Sequence, residues 1–360
     1  MSDTTTLTSP AAPAGQAPGR SYRNYGSSLF RRIFVTREMA VIALLAIVII
    51  VASVSVKNFA SPITFSYLLL DTTPILLIAL PMTLVIITGE IDLSVASMMG
   101  LSSVTVGTLT QAGWPIEVAF VVALVVGVIG GALNGFLITV VGLPSLAVTI
   151  GTLALYRGLA VGLLGTTAVT DFPKFWTDIA KAKFAATGIP VVIVPFIILA
   201  VVFAVLLHFT SFGRGIFAIG LSSEAAAFSG VHVERTKFIL FMLTGVVSAF
   251  AGIYYTLRFG SARGDNATGL ELSVIAAVLL GGVSIFGGRG ALHGVIAGVL
   301  LIGVLGSALR LANVSSDVIN IITGALLVLS VVSTSFLAWA RKRRQRRGGT
   351  KKTAVSATAG

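Results

Sequence analysis

The sequence predicts an all-α polytopic membrane protein of about ten transmembrane helices, some of them broken. Three observations carry that prediction. Hydrophobic residues make up 56% of the 360-residue chain and charged residues only 11%, against about 45–50% and about 25% in soluble domains. Apolar runs of spanning length recur along the chain, separated by turn residues and charges. The basic residues gather at the ends: of 25 Lys and Arg, five lie between Arg20 and Arg37 and eight between Arg341 and Lys352. Basic clusters beside spans mark the cytoplasmic side and favour anionic lipid. The net charge of +12 therefore reads as an orientation signal, and no nucleic-acid partner is expected.

Residues 1–36 are rich in Ser, Thr, Pro, Ala and Gly without apolar periodicity, and are expected to form a disordered cytoplasmic tail. The first apolar run begins near Met39 and lacks a small-residue cleavage site, so the first span is expected to be retained. A transmembrane domain is expected over 37–336, with apolar segments near 39–56, 65–88, 93–111, 116–141, 145–165, 190–207, 236–258, 270–287, 291–310 and 316–336. A basic cytoplasmic tail then follows over 337–360. Ten crossings that start inside place 17 Lys and Arg on the cytoplasmic side and seven outside, with Arg157 inside a span. An odd number would put one basic tail outside. Residues 166–190 become an external segment, whose DFPKFWTDIAKAKF suits a small interfacial helix anchored by Phe172, Phe175 and Trp176.

Several spans carry Pro or Gly internally: Pro74 and Pro81 in the second, Gly127, Gly130, Gly131 and Gly135 in the fourth, and Gly281, Gly282, Gly287 and Gly288 at the end of the eighth. Such residues serve close helix packing or line a translocation path with broken backbone. Glu90 and Asp92 fall at the cytoplasmic end of a span, where they either cap the following helix and stay hydrated or take part in gating. Asn134 and Arg157 are polar groups at bilayer depth. Arg157 is expected to pair with an acid or a backbone carbonyl, or to meet substrate.

The long polar interruption His208 to Lys237 lies between spans on the cytoplasmic side. Within it SSEAAAFSG reads as a short helix. Ser222 or Ser223 can cap its start, Glu224 stands in the first turn where the dipole favours an acid, and Gly230 offers a stop. Ala225, Ala226 and Ala227 give it almost no bulk, so another protein can approach its backbone closely. The chain has no Cys, and His208, His232 and His293 are scattered, so no metal site is expected. The absence of GxxxxGK[ST], HExxH or a Ser, His and acid cluster predicts no enzyme and no cofactor bound by this chain.

Glu224-Ala225-Ala226 followed by Gly230 resembles the EAA loop of bacterial ATP-binding-cassette importers. Gly89 to Val95, GEIDLSV, resembles the GGIDLSVG signature of ribose-type importer permeases, with Glu90 in place of the second Gly. GALNGFLITVVGLPSLAVTIGTLALYRGLA from Gly131, TSFGRGIFAIG from Thr210 and LLGGVSIFGGRG from Leu279 extend the resemblance over 37–336. It implies a permease of the ribose, rhamnose and autoinducer-2 type of carbohydrate importer, multi-pass in the bacterial inner membrane, with both termini cytoplasmic. The implied partners are a cytoplasmic ATPase that uses ATP, a periplasmic sugar-binding protein and a second permease copy or paralogue. Ser223, Glu224, Ala225, Ala226, Ala227 and Gly230 would form the ATPase-coupling helix. Glu90, Asp92, Asn134 and Arg157 are the gate or pathway candidates. The rival expectation is a secondary transporter coupling an ion through Glu90, Asp92 or Asp71.

Overall fold

The computed structural model describes residues 37–185, 187–326, 328, 329 and 332; the tails expected at 1–36 and 337–360 lie outside them. In chain order the elements are α1 (Arg37–Ser55), α2 (Pro62–Ile87), α3 (Val95–Gln111), α4 (Ile116–Thr139), α5 (Ser145–Leu164), β1 (Ala168–Val169) and α6 (Lys174–Lys181). There follow α7 (Ile193–Phe209), α8 (Ser211–Leu221), α9 (Ser223–Phe228), α10 (Val233–Phe259), β2 (Ala262–Arg263), α11 (Leu270–Leu280), α12 (Leu292–Leu311) and α13 (Ser316–Leu326).

The helical class stands, apart from a two-residue antiparallel pairing of β1 with β2 that sets Ala168 opposite Arg263. Among the described residues, six helices are long and apolar enough to cross a membrane, or seven if α7 and α8, bent by 68°, form one broken span. All ten predicted apolar segments contain a helix, but α3, α11 and the described part of α13 are short. The predicted segment 270–287 is helical only to Leu280. Gly282, Gly287 and Gly288 take φ values of +96°, +80° and +71°, a left-handed backbone that a helix cannot continue through.

α2 is the axis of the bundle. Ser61 caps it by accepting from the Thr64 N–H at 3.2 Å, and Pro62 stands in the first turn, where its missing N–H costs nothing. From Leu76 to Ile87 every residue is buried, as expected of a helix that is apolar all round. Its hydroxyls are satisfied internally: Thr72, Thr73 and Thr83 donate to the carbonyls of Leu68, Leu69 and Ala79. Pro74 cannot donate to the Leu70 carbonyl one turn back, and the Tyr254 hydroxyl of α10 donates to that oxygen instead, at 2.9 Å.

Glycine decides how α4 and α10 meet. A Cβ on Gly131 would lie 2.5 Å from the Phe241 carbonyl oxygen, and one on Gly245 would lie 2.3 Å from that of Gly127. Backbone touches backbone there, so close packing is the reason for these residues of the fourth span. The outer faces of α1, α4, α5 and α7 expose large apolar side chains such as Ile50, Val121, Ile150 and Ile198, the reverse of a soluble protein and suited to lipid.

Candidate functional site

At the end of the bundle where α2 finishes, the chain builds a small projecting platform. Thr210 starts it: its hydroxyl oxygen accepts from the Gly213 N–H at 3.1 Å, capping α8 immediately after α7 ends. α8 then runs back against the bundle so closely that a Cβ on Gly220 would fall 1.8 Å from the Ile87 carbonyl oxygen and 2.3 Å from the Gly288 nitrogen. Gly288 itself donates to the Ile87 carbonyl at 2.8 Å. The end of α2, the glycine loop after α11 and α8 thus share one backbone joint.

On this base stands α9. Ser222 adopts an extended conformation and its Oγ accepts from the Ala225 N–H at 3.2 Å, so Ser222, and not Ser223, is the cap. Ser223 donates back to the Ile219 carbonyl at 3.4 Å. Glu224 is exposed in the first turn. Gly230, at φ +83°, ends the element, and Val231 donates to the Ala226 carbonyl. The three alanines do not share one face. Ala225 and Ala227 are exposed, but Ala226 is only 3% exposed and packs inward, because a six-residue helix laid on a surface must turn one position toward it. The large outward residue is Phe228, 95% exposed, which sequence reasoning missed. An aromatic ending an otherwise bulk-free helix was the available signal.

The gate candidates fall into three separate places. Glu90 makes an ion pair with Lys237 in the first turns of α10, tying the α2–α3 link to the chain that leaves the platform. Asp92 is not hydrated, contrary to expectation: it is 1% exposed. Its Oδ1 accepts from the Ser94 N–H at 2.9 Å and from the Ser94 hydroxyl at 2.6 Å, and its Oδ2 accepts from the Thr244 hydroxyl at 2.7 Å. Asn134 joins through Ser94, donating from Nδ2 to Ser94 Oγ at 2.8 Å, while its Oδ1 is buried without a partner. The turn before α3 folds in this way because a short acid two residues before a serine can accept that serine's backbone N–H and hold the chain in a tight turn ahead of the helix.

Arg157 stands apart from these, beside the β2 turn. Its Nη1 donates to the carbonyls of Gly264 at 2.8 Å and Asn266 at 2.7 Å, so of its expected partners it takes backbone carbonyls. In that turn Arg263 forks onto Asp265 at 2.9 and 2.8 Å, and this guanidinium holds the Asp265 carboxyl below the usual carboxylate range. At the same end α6 lies as the expected short helix. Trp176 packs edge-on against Phe120 at 5.2 Å between centroids and donates to Glu117 at 2.9 Å, Phe172 is buried, and Phe175 is exposed.

Lipid-facing helices around a buried axis, with a short capped helix at one end, define a multi-pass membrane protein. The chain belongs to the family described as branched-chain amino acid transport system / permease component, which matches residues 64–331. It is 35% identical over 336 residues to the autoinducer 2 import system permease protein LsrD of Yersinia enterocolitica, covering 90% of this chain and 98% of the relative. The LsrD proteins of Photorhabdus laumondii, at 37% identity over 83% of this chain and 91% of the relative, and of Salmonella typhimurium, at 36% over 74% and 84%, are similar to it as well. No solved structure matches the chain significantly. The chain is therefore a permease component of an ATP-binding-cassette importer, multi-pass in the inner membrane, as the sequence motifs led one to expect. Nothing supports the ion-coupled alternative.

Proposed function

We propose that this chain forms half of a transmembrane dimer that imports a sugar-like solute of the autoinducer-2 class, delivered by a periplasmic binding protein and driven by a cytoplasmic ATPase. The observation that carries the coupling assignment is α9: a capped, bulk-poor helix that presents Glu224, Ala225, Ala227 and Phe228 to solvent from a rigid backbone joint. ATP-driven closure of the ATPase subunits would push on α9, and the joint at Gly220, Ile87 and Gly288 would pass the push to α2 and to the loop after α11. The relatives named for autoinducer 2 import support the solute class. This chain binds no cofactor in this reading; ATP belongs to the partner.

In this reading both termini are cytoplasmic and the ten apolar helices make ten crossings, with α3, α11 and α13 as shorter ones and α7 bent into α8. The distribution of 17 Lys and Arg on one side against seven on the other supports it. The tagged permease, solubilised from native membranes, is expected to bring down a cassette ATPase and either only itself or one related permease. Phe228→Asp should cut ATPase recovery by about tenfold or more while the chain stays inserted, since apolar anchors carry most of an interface. Recovery of the permease alone would sink the importer assembly, and undiminished recovery with Phe228→Asp would move the docking site elsewhere.

A further inference from the structure

At the opposite end from α9, a crevice of about 620 Å³ opens between α2, α10, α11, α12 and α13. That is the size of a small-molecule site, roughly 300–1,000 Å³. It contains none of Glu90, Asp92, Asn134 and Arg157, but it does contain Asp71, the third carboxylate named for the ion-coupled rival. Its wall includes Tyr67 and Asp71 of α2, Tyr255 of α10, Arg310 of α12, and Asn320 and Thr323 of α13. Asp71 stands more than two turns inside α2, where a carboxylate is costly unless it is paired or used, whereas Arg310 in the last turn of α12 and Asn320 near the start of α13 lie close to the helix ends.

We propose that this crevice binds a neutral polyhydroxylated solute within the permease itself, an inference that rests on the sugar-importer reading and names a place where the solute is held. Asp71 is held in place by Arg258, which donates to its Oδ1 at 3.1 Å and has the Tyr67 and Phe259 rings 5.4 and 5.3 Å from its Cζ. The carboxylate keeps acceptor capacity toward the crevice, where its side chain is 38% exposed. Arg310 and Asn320 supply donors. Asp71 is already paired with Arg258, so it offers the crevice its remaining acceptor capacity rather than an unneutralised charge, and a vicinal diol can donate to that carboxylate while accepting from Arg310 or Asn320. Tyr255, packed at 4.5 Å against Phe259, gives the wall an aromatic side for the C–H face of a sugar, while the Tyr67 ring is already met by Lys183 and Arg258 at 4.9 and 5.4 Å.

The glycine at 306 makes the room. A Cβ there would meet only Arg310 Nη2 at 3.8 Å and Ile319 Cγ2 at 4.0 Å, ordinary contacts, so Gly306→Leu fills the crevice without colliding with backbone. The test places diazirine derivatives of ribose and rhamnose on the full-chain permease in nanodiscs and maps the crosslinks by mass spectrometry. Label is expected on 63–75 and 303–311, displaced by free sugar, and reduced about tenfold or more in Gly306→Leu and in Asn320→Ala, with melting temperatures unchanged. No displaceable label in these segments, or label undiminished in a folded Gly306→Leu variant, overturns the site. ATP-driven uptake by the assembled importer is measured in parallel. Uptake without crevice label overturns the site and leaves the importer reading; crevice label without uptake supports the site and overturns that reading for these sugars.

Discussion

Thr244 on α10 donates its hydroxyl to Asp92 Oδ2 at 2.7 Å across 152 residues of sequence, and so binds the turn before α3 to the helix that follows the platform. The Phe241 carbonyl oxygen lies 2.8 Å from the same hydroxyl as an alternative acceptor for its one proton. It can therefore turn to that oxygen if Asp92 is shortened, whereas the Ser94 N–H has no such second partner. Asp92→Ala is expected to cost about 1–3 kcal/mol by stranding a buried donor. Asp92→Asn preserves an acceptor for Ser94 and should cost less. Thermal unfolding in detergent checks the order. Uptake separates the two roles the sequence left open: wild-type uptake by Asp92→Asn means a structural acid, and lost uptake in a stable Asp92→Asn variant means that the charge serves transport.

Gly220 offers a second, steric test. With Ile87 O and Gly288 N both inside contact distance of any Cβ, even Gly220→Ala must push α8 off the bundle. Overpacking of this kind costs about 1–3 kcal/mol. The expected outcome is a permease that still inserts and still recruits the ATPase through Phe228, but in which ATP hydrolysis no longer drives uptake. Coupled uptake at the wild-type rate would show that the joint does not carry the motion.

The contrast between what the sequence showed and what it hid has physical causes. Apolar periodicity and turn residues are local, so the existence of the helices, the α9 cap region and the Gly230 stop were readable. Contacts made over long separations were not. Lys237 was visible as the edge of a loop, but nothing local says that its partner is Glu90, 147 residues earlier. The hydration expected for Asp92 failed for the same reason: a carboxylate at a helix end is solvated unless distant hydroxyls replace the water, and here Thr244 does so. The inward turn of Ala226 likewise depends on the surface beneath α9, which no spacing rule reports.

The Glu90–Lys237 pair is testable by charge exchange. Both side chains are 17% exposed, between the surface case, where such a pair is worth about 0–1 kcal/mol, and the buried case, where breaking it costs about 3–5 kcal/mol. Lys237→Glu alone sets two carboxylates together and should lower the melting temperature more than Lys237→Ala. The double variant Glu90→Lys with Lys237→Glu should recover most of the loss. Failure of the exchange to recover any stability would mean that the two residues act independently.

Pro74 and Tyr254 give the sharpest test of how the axis helix is held. The Tyr254 hydroxyl matters because proline removed the N–H that would otherwise serve the Leu70 carbonyl. Tyr254→Phe should therefore cost about 0.5–1.5 kcal/mol in the wild-type background, the net value of one hydrogen bond. In a Pro74→Ala background the helix can close its own bond to Leu70, and the same Tyr254→Phe change should cost close to nothing. The double-mutant cycle thus predicts a positive coupling of about the size of the single effect. Equal costs in both backgrounds would show that Tyr254 contributes through ring packing, and that the broken turn of α2 is satisfied by another group.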